Sequence, residues 1–355
     1  MLKDEFVILG MGQGGGKMTK PFYDSGYRSF FINTSYDDLS SLGVKNDYVY
    51  HIPAAKGCAK NRKTAMEYAQ NYYENMVGKL LDTHPTGNVF IAHYTLGGGT
   101  GGGLTNFILA VLRQKLNSMG RKNAIIIAVA AVPESYESYH IQNNANAALK
   151  ELYKMVDAKV VNQYFLINND SREDLRSINT ENMLLLDRWI EGETANNDSN
   201  ADESERIDLF KLKGGAMLFD FSAENKEEFG NALKTAYDNT IYCTPSKKPL
   251  AIGMALNKNL KRKEIISDIE EVVGYSPKHH ITPTENSNVI MLAGLPKNPN
   301  IENNIIKIAN EKYEKINSEE KIESEDISMK TFDKKEEKID DVSFESIEDV
   351  MNLFR

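Results

Sequence analysis

The sequence predicts an α/β fold built on a doubly wound, mostly parallel sheet, and three observations support this prediction. Up to about residue 170, short apolar runs alternate with longer amphipathic runs, which is typical of strands separated by crossover helices. Glycine-rich segments follow two of the apolar runs, at residues 10–16 and 97–103. The chain has 355 residues and is 41% hydrophobic, which is enough for two packed domains.

Each element of the first half is predicted from its own periodicity. The apolar runs predict strands at residues 5–10, 28–33, 47–52, 88–93, 124–131 and 160–167. The amphipathic runs predict helices at residues 15–25, 62–82, 103–118 and 138–156. Ligands of doubly wound sheets bind at the carboxyl ends of the strands, and both glycine clusters fall there.

The second half is predicted to hold a long central helix, a polar loop and a second, smaller α/β domain. Met183, Leu186 and Trp189 are spaced for burial on the central helix, and the polar loop extends to Asp208. Later helices are predicted at residues 224–240, 261–273 and 300–316, and strands at 249–256, 279–283 and 288–294. The expected units are residues 1–178 with the glycine clusters, 179–213 with the central helix and polar loop, 214–300 as the second domain, 301–317 as a C-terminal helix, and 318–355 as a flexible, disordered acidic tail.

Charge and composition narrow the range of partners. The net charge is −9, and residues 318–355 hold 13 Asp and Glu against 6 Lys and Arg, so the body of the chain is nearly neutral. Direct DNA binding favours a concentrated basic face, so we expect DNA to be reached only through another protein. Without a membrane-spanning apolar run or a secretory pattern, the chain is expected in the cytosol with no direct membrane contact. Cys58 and Cys243 offer no disulfide framework.

The glycine clusters predict a polyphosphate site. A strand-to-helix turn presents unpaired N–H groups and the positive end of a helix dipole to an anion, and two such turns would hold a polyphosphate from both sides. A Walker loop needs Ser or Thr after its Gly-Lys, but this chain has Met18 there. A dinucleotide fingerprint matches at Gly10, Gly12 and Gly15. That match leaves an NAD-linked oxidoreductase as an alternative, although the second strand ends in Asn33 instead of an acid and the second cluster stays unexplained.

The run Gly-Gly-Gly-Thr-Gly-Gly-Gly at residues 97–103 resembles the signature loop of the tubulin and FtsZ superfamily of GTPases. The resemblance covers roughly residues 5–300. It includes the first phosphate loop at residues 12–15, the Asn-Thr after the second strand, and the terminal-phosphate loop at residues 55–58. The loop at residues 56–62 and the acidic tail are most similar to the TubZ branch of plasmids and phages.

The resemblance implies GTP and GDP as ligands, Mg²⁺ as cofactor and GTP hydrolysis as the activity. It places Gln13 near the magnesium, where water and phosphates supply most ligands, and Asn182 facing guanine. Ile141 stands where many relatives carry arginine, so Lys56 is expected to supply that charge. The residues implied in GTP binding are Gly12, Gln13, Gly14, Gly15, Asn33, Lys56, Gly57, Gly98, Gly99, Thr100, Gly101, Gly102, Pro133, Glu137, Asn169 and Asn182.

Hydrolysis also needs a group that orients water, and carboxylates commonly do this. In the resembled family this acid comes from the next subunit, through a loop after the central helix. Residues 214–224 match that loop, with Asp220 at its first acid, while Ala223 stands at the second. We expect Glu224, in the first turn of a helix capped by Ser222, to take the second role. The alternative is that Glu224 only offsets the helix dipole.

The resemblance therefore implies head-to-tail self-assembly that activates hydrolysis. The tail ends in apolar residues at three- or four-residue steps, which predicts one helical face, made of Phe344, Ile347, Val350, Met351 and Phe354. We interpret it as a docking peptide for a DNA-bound adaptor that segregates phage or plasmid DNA in a bacterial host. Two alternatives stay open: the peptide folds back on its own body, or the filament serves cell division as FtsZ does.

Overall fold

In the computed structural model, the described residues are 2–53, 55–192, 203–243, 247–284, 288–319 and 346–354. The strands are β1 (Phe6–Met11), β2 (Arg28–Asn33), β3 (Val49–His51), β4 (Val89–Thr95), β5 (Ile125–Val132), β6 (Gln163–Asn168), β7 (Gly214–Phe221), β8 (Ala251–Asn257), β9 (His279–Thr284) and β10 (Asn288–Leu295). They form one sheet in the order β3-β2-β1-β4-β5-β6-β7-β10-β8-β9. Parallel pairing runs from β3 through β7, and β10 is antiparallel to both β7 and β8.

The helices are α1 (Gly12–Asp24), α2 (Tyr36–Ser40), α3 (Arg62–Thr83), α4 (Gly99–Ser118), α5 (Tyr139–Asp157), α6 (Leu175–Glu191), α7 (Glu203–Lys211), α8 (Lys226–Asp238), α9 (Arg262–Val273), α10 (Pro299–Glu319) and α11 (Ile347–Leu353). The mostly parallel α/β class is thereby confirmed. The short α2 and α7 were not predicted.

Helices cover both faces of the sheet, which divides the core into two clusters. Along β1, Phe6 and Ile8 belong to one cluster while Val7 and Leu9 belong to the other, because successive strand residues point to opposite faces. The first cluster includes residues of α1, α6, α8 and α9, and the second includes residues of α3, α4, α5, α10 and α11. Every residue of β5 is buried, as expected for a central strand between two helical layers.

The second half of the chain continues the sheet of the first half. The join is short, because β6 and β7 pair only at Gln163 with Gly214 and at Tyr164 with Gly215. Residues 214–221, expected as part of a loop, form β7 instead, since β10 pairs along nearly its whole length. The domain boundaries expected at residues 178 and 213 stay a prediction.

Parts of two expected segments lie outside the described residues: 193–202 of the polar loop and 320–345 of the acidic tail. In the described part of the chain, no helix has the length and apolarity to cross a membrane.

Candidate functional site

The two glycine clusters form adjacent helix N-termini at the carboxyl edge of the sheet. Helix α1 begins directly after β1, and α4 begins shortly after β4, its neighbour in the sheet. Their N-cap residues are Met11 and Gly98, which have no side-chain oxygen to accept from the first N–H groups. Both helices therefore offer backbone donors and positive dipole ends to an anion.

The glycines also allow a close approach of the two turns. Gly12 has a φ of +73°, and a Cβ built on it would lie 2.8 Å from the backbone nitrogen of Gly101. A Cβ on Gly101 would lie 2.9 Å from the carbonyl oxygen of Met11, and one on Gly15 would overlap the carbonyl of His93. The glycine density is thus required by backbone packing as well as by any ligand.

Thr100 lies where the two turns meet. Its Oγ1 shares a hydrogen bond of 2.7 Å with Oγ1 of Thr34, at the end of β2, and one of 3.1 Å with Sγ of Cys58. The hydroxyl of Thr100 thus links the first turn of α4 to two neighbouring loops. Cys58 is buried and serves in packing, as its isolation in the sequence suggests.

The loop at residues 55–61 rests on the start of α4 in a strained conformation. Ala59 and Lys60 have φ angles of +46° and +62°, a region that costs L-residues about 1–2 kcal/mol each. Asn144 of α5 fixes the loop by donating to the carbonyl of Lys60 at 2.9 Å, and to that of Gly97 at 3.3 Å. The side chain of Lys56 is exposed on this loop, which fits a contact with an anion.

Asn33 does not reach the site through its side chain. It is 2% exposed, and its Oδ1 accepts from the backbone N–H of Thr34 and Ser35 at 2.8 and 3.3 Å. Asn33 therefore shapes the turn that presents Thr34, so the structure gives it a positioning role where the sequence predicted GTP contact.

The loop after β5 carries two of the implied ligand residues, Pro133 and Glu137, which are half-buried. Asp170, in the turn after β6, accepts from the backbone N–H of Ser135 at 3.0 Å. Lys312 of α10 donates to the carbonyl of Tyr136 at 2.8 Å. The turn that holds the half-buried Asn169 is thus tied to the loop that holds Pro133 and Glu137.

Asn182 lies in the core of the protein, with 0% exposure. Its Nδ2 donates to Nε2 of His93 at 3.2 Å, and its Oδ1 accepts from the hydroxyl of Tyr242 at 2.9 Å. On its other side His93 Nδ1 lies 3.0 Å from Oγ1 of Thr19. Burial lowers the pKa of His93 to about 3, so the ring is neutral. This network joins α1, β4 and α6, and it leaves Asn182 no accessible atom for the guanine contact that the sequence predicted.

A second network supports the start of α4 from behind. Arg62 donates through Nε to the carbonyl of Gly102 at 2.9 Å and through Nη2 to Glu151 at 2.6 Å. Asn106 donates to the carbonyl of Ala148 at 3.1 Å. These bonds join α3 and α5 to the first turns of α4. The sequence analysis did not predict them, because the bonded residues are far apart in the chain.

His93 could have been identified from the sequence as a candidate functional or structural residue, because it is a polar residue inside an apolar run.

Ile141, the position where many relatives carry arginine, is a packing residue here. It is 6% exposed, and a Cβ on Gly97 would lie 3.0 Å from its carbonyl oxygen. The positive charge expected near the phosphates must therefore come from elsewhere, and Lys56 is the residue that the sequence predicted for it.

Asp220 lies on β7, several strands away from the glycine turns in the sheet. Helix α6 starts at the carboxyl edge of the sheet, after β6, and its last residue Glu191 accepts from the backbone N–H of Lys3, just before β1, at 2.6 Å. Arg188, in the last turn of α6, forms an ion pair with Asp220. In the sheet, β7 is three strands from β4 and four from β1, so at about 4.8 Å per strand Asp220 lies at least about 14 Å from the glycine turns. Asp220 is too far away to act at the glycine turns of its own chain.

Glu224 is exposed, but it does not lie in a helix as the sequence predicted. The N-cap of α8 is Asn225, whose Oδ1 accepts from the N–H of Glu228 at 3.1 Å. Asn288 donates to the carbonyls of Phe221 and Ala223, which fixes the loop that follows β7. The predicted cap at Ser222 is therefore wrong, and Glu224 projects from the loop before α8.

The donor set allows Mg²⁺ only with help from a ligand. In the described residues, no group of three or more His, Cys, Asp or Glu could hold a metal ion. Gln13 is exposed at the start of α1 and offers one oxygen of the kind that Mg²⁺ prefers. Such a site fits an ion that keeps its waters and is held mainly by phosphates.

Comparisons with known proteins agree on a single family. Residues 5–173 match the family described as Tubulin/FtsZ family, GTPase domain. The chain is 26% identical over 296 residues to the tubulin-like protein TubZ of Clostridium botulinum C phage, which spans 83% of this chain and 80% of that protein. The solved structure of a C-terminally truncated TubZ of Clostridium botulinum phage c-st is 25% identical, with a TM-score of 0.79 and coverage of 89% and 100%. A GTPγS-form protofilament of Bacillus thuringiensis serovar israelensis TubZ shares the fold, at 15% identity, a TM-score of 0.71 and coverage of 88% and 93%.

Proposed function

Because residues 5–173 match the GTPase domain of the Tubulin/FtsZ family, we propose that the protein is a filament subunit whose GTP hydrolysis is completed between two copies of the chain. The glycine turns would bind the phosphates, and Gln13 would help to hold a Mg²⁺ ion that offsets the phosphate charge. The adjoining copy supplies Asp220, and Glu224 beside it, to orient the attacking water.

The position of Asp220 is the observation that carries this proposal. The phosphate-binding turns follow β1 and β4, and β7 with Asp220 lies three strands beyond β4, about 14 Å away at about 4.8 Å per strand. A carboxylate must be within hydrogen-bond reach of the water that it orients, so it cannot serve its own site. Stacking two copies head to tail would bring the acid of one onto the nucleotide of the other. Such a head-to-tail contact does not close, and it produces a filament.

In the isolated chain, the carboxylate of Asp220 forms an ion pair with Arg188. Both side chains are partly exposed, at 30% and 46%, so water screens the pair and makes it easy to exchange. On assembly the carboxylate would leave Arg188, at least in part, for the water beside the terminal phosphate. This exchange makes hydrolysis depend on assembly.

Mixing two impaired variants tests the proposal. In Asp220→Asn the donated acid is lost, and in Thr100→Val the receiving pocket is impaired. A 1:1 mixture would restore functional interfaces where an intact pocket meets an intact acid, about a quarter of all interfaces for random head-to-tail stacking. We expect turnover near that fraction of wild type, while each variant alone stays low.

The matched control is Asp238→Asn, which removes another acid of the same half of the chain, paired with Lys234 at 2.7 Å. It should hydrolyse GTP as wild type does. Sedimentation must show that both variants enter the same filaments. If co-assembled filaments stay as inactive as the separate variants, the acid does not act in trans. Turnover per molecule that stays constant on dilution would contradict the role of assembly as well.

We further propose that the filament moves phage or plasmid DNA in the cytosol of a bacterial host through a DNA-bound adaptor. The similarity to phage TubZ supports this role, as does the amphipathic helix α11 near the C-terminus. Deleting residues 342–355 should spare polymerisation and abolish adaptor capture. Unchanged capture would contradict the assignment of the tail.

A further inference from the structure

The C-terminal helix α11 is packed on the body of the protein. Val350 has no exposed surface, and the ring of Phe354 packs edge-on against Phe107 of α4, with centroids 5.6 Å apart. Tyr73 of α3 contacts the same Phe107 ring, at 6.0 Å. We call this strip of α4 and α3, around Phe107 and Tyr73, the α4 groove.

Helix α11 is stable only while it is packed in the α4 groove. It spans only Ile347–Leu353, and isolated helices this short are unstable in water. A capping box between Ser346 and Asp349 fixes its start, but a cap stabilises by only about 1 kcal/mol. Most of the stabilisation must therefore come from the buried apolar face.

That face is the same one that the sequence assigns to an adaptor. Ile347, Val350, Met351 and Phe354 all pack with the core cluster that contains Phe107, while Glu348 is exposed on the other side. A helix of two turns has one apolar face. It cannot contact α4 and an adaptor with that face at the same time.

We propose that the α4 groove is a receptor for the chain's own C-terminal helix, and that a partner must displace the helix from the groove in order to bind it. The displacement step rests on the proposed adaptor function, and the groove itself does not. The partner would present an apolar cleft with a basic rim, since the helix carries Glu348 and Asp349 in its first turn. Tail capture is then reduced by the fraction of time that the helix spends docked.

The linker between α10 and α11 sets the affinity that α11 needs in order to stay docked. Residues 320–345 join α10 to the segment with α11, and linkers of this order give effective concentrations of about a millimolar. A docked population above one half thus requires a dissociation constant below about 1 mM for the free peptide. This bound makes the proposal testable with a peptide.

The test uses the full-length chain and a fluorescent peptide of residues 342–355. Full-length Phe354→Asp should lose its own docking and bind the peptide with a dissociation constant below about 1 mM. Wild type should bind it more weakly, by about tenfold for a peptide of 0.1 mM affinity. A peptide that carries Phe354→Ala should bind neither protein. Equal binding to both proteins, or no binding to the variant up to millimolar peptide, would overturn the proposal.

Hydrogen exchange in the full-length protein gives a second, independent test. Amides near residues 350–354 should be protected in wild type and exchange faster in Phe354→Leu and in Phe107→Leu, roughly two- to tenfold for the loss of one edge-to-face aromatic contact. Glu348→Gln, on the exposed side, is the matched control and should leave this protection nearly unchanged. Unprotected amides in wild type would overturn the proposal. Neither test requires GTP or an adaptor, so a failed filament function would leave their outcome intact.

Discussion

Replacing Gly103 by alanine would test whether the glycine-rich turn is required for packing rather than for ligand contact. Gly103 lies in the first turns of α4, next to the residues implied in phosphate binding. A Cβ at this position would lie 2.8 Å from Cβ of Ala65 and 2.8 Å from the carbonyl oxygen of Arg62, where ordinary contact begins near 3.4 Å. Helix α4 must therefore move away from α3 by roughly half an ångström, the difference between those distances.

Gly78 provides the matched control for this substitution. It is also helical, in α3, but a Cβ built on it meets nothing within 4 Å. Gly78→Ala should stabilise the protein by about 0.5–1 kcal/mol, because alanine has the higher helix propensity. Gly103→Ala gains the same propensity but loses about 1–3 kcal/mol to overpacking. The two variants should thus differ by about 1–3 kcal/mol, with Gly103→Ala the less stable.

Urea unfolding measures this difference, and GTP turnover measures its effect on the site. A displacement of 1 Å can cost about 100-fold in rate, so half of that shift should slow Gly103→Ala by about tenfold. Gly78→Ala should turn over GTP as wild type does. If Gly103→Ala is as stable as Gly78→Ala and fully active, the packing argument for the glycine cluster is wrong.

Three further changes test single groups. Thr100→Val removes the hydroxyl that bonds Thr34 and Cys58 and should slow hydrolysis about 10- to 100-fold, while Thr100→Ser restores it; equal rates for both variants would contradict this role. Lys56→Ala should weaken GTP binding about tenfold and leave GDP binding unchanged, because a charge-assisted hydrogen bond to the terminal phosphate is lost. Calorimetry can measure both affinities, with Lys63→Ala as the control. Burial lowers the pKa of His93 to about 3, against about 6.5 in the unfolded chain. The contribution of the neutral ring to the free energy of unfolding is therefore complete above pH 6.5 and is lost as the pH falls towards 3. At pH 5 the free energy of unfolding should be about 2 kcal/mol lower than at pH 7 for this reason. In urea unfolding, the difference in stability between pH 7 and pH 5 should be smaller for His93→Gln than for wild type, and an equal difference would refute this prediction.

Much of the fold was determined by local pattern. The sequence predicted several elements within a few residues of their observed bounds, such as the strands at 28–33 and 88–93 and the helix at 62–82. This was possible because the periodicity of a strand or a helix depends on residues that are close together in the chain. The glycine clusters were placed correctly after β1 and β4, since glycine at a strand-to-helix turn is itself a strong local signal. Strand β7 was missed because its identity depends on pairing with β10, which is distant in sequence.

What the sequence alone determined about this protein is the α/β class, the two glycine turns and, through these turns, the resemblance to the tubulin/FtsZ family. The tertiary structure decided which polar side chains face outward. Asn33 and Asn182 look like ligand residues in the sequence, but burial and hydrogen bonds with Ser35, His93 and Tyr242 fix both inside. Only the structure shows Asp220 three strands away from β4 in the sheet and α11 on the α4 groove. Distance and burial arise from contacts between remote segments, and no local pattern encodes them.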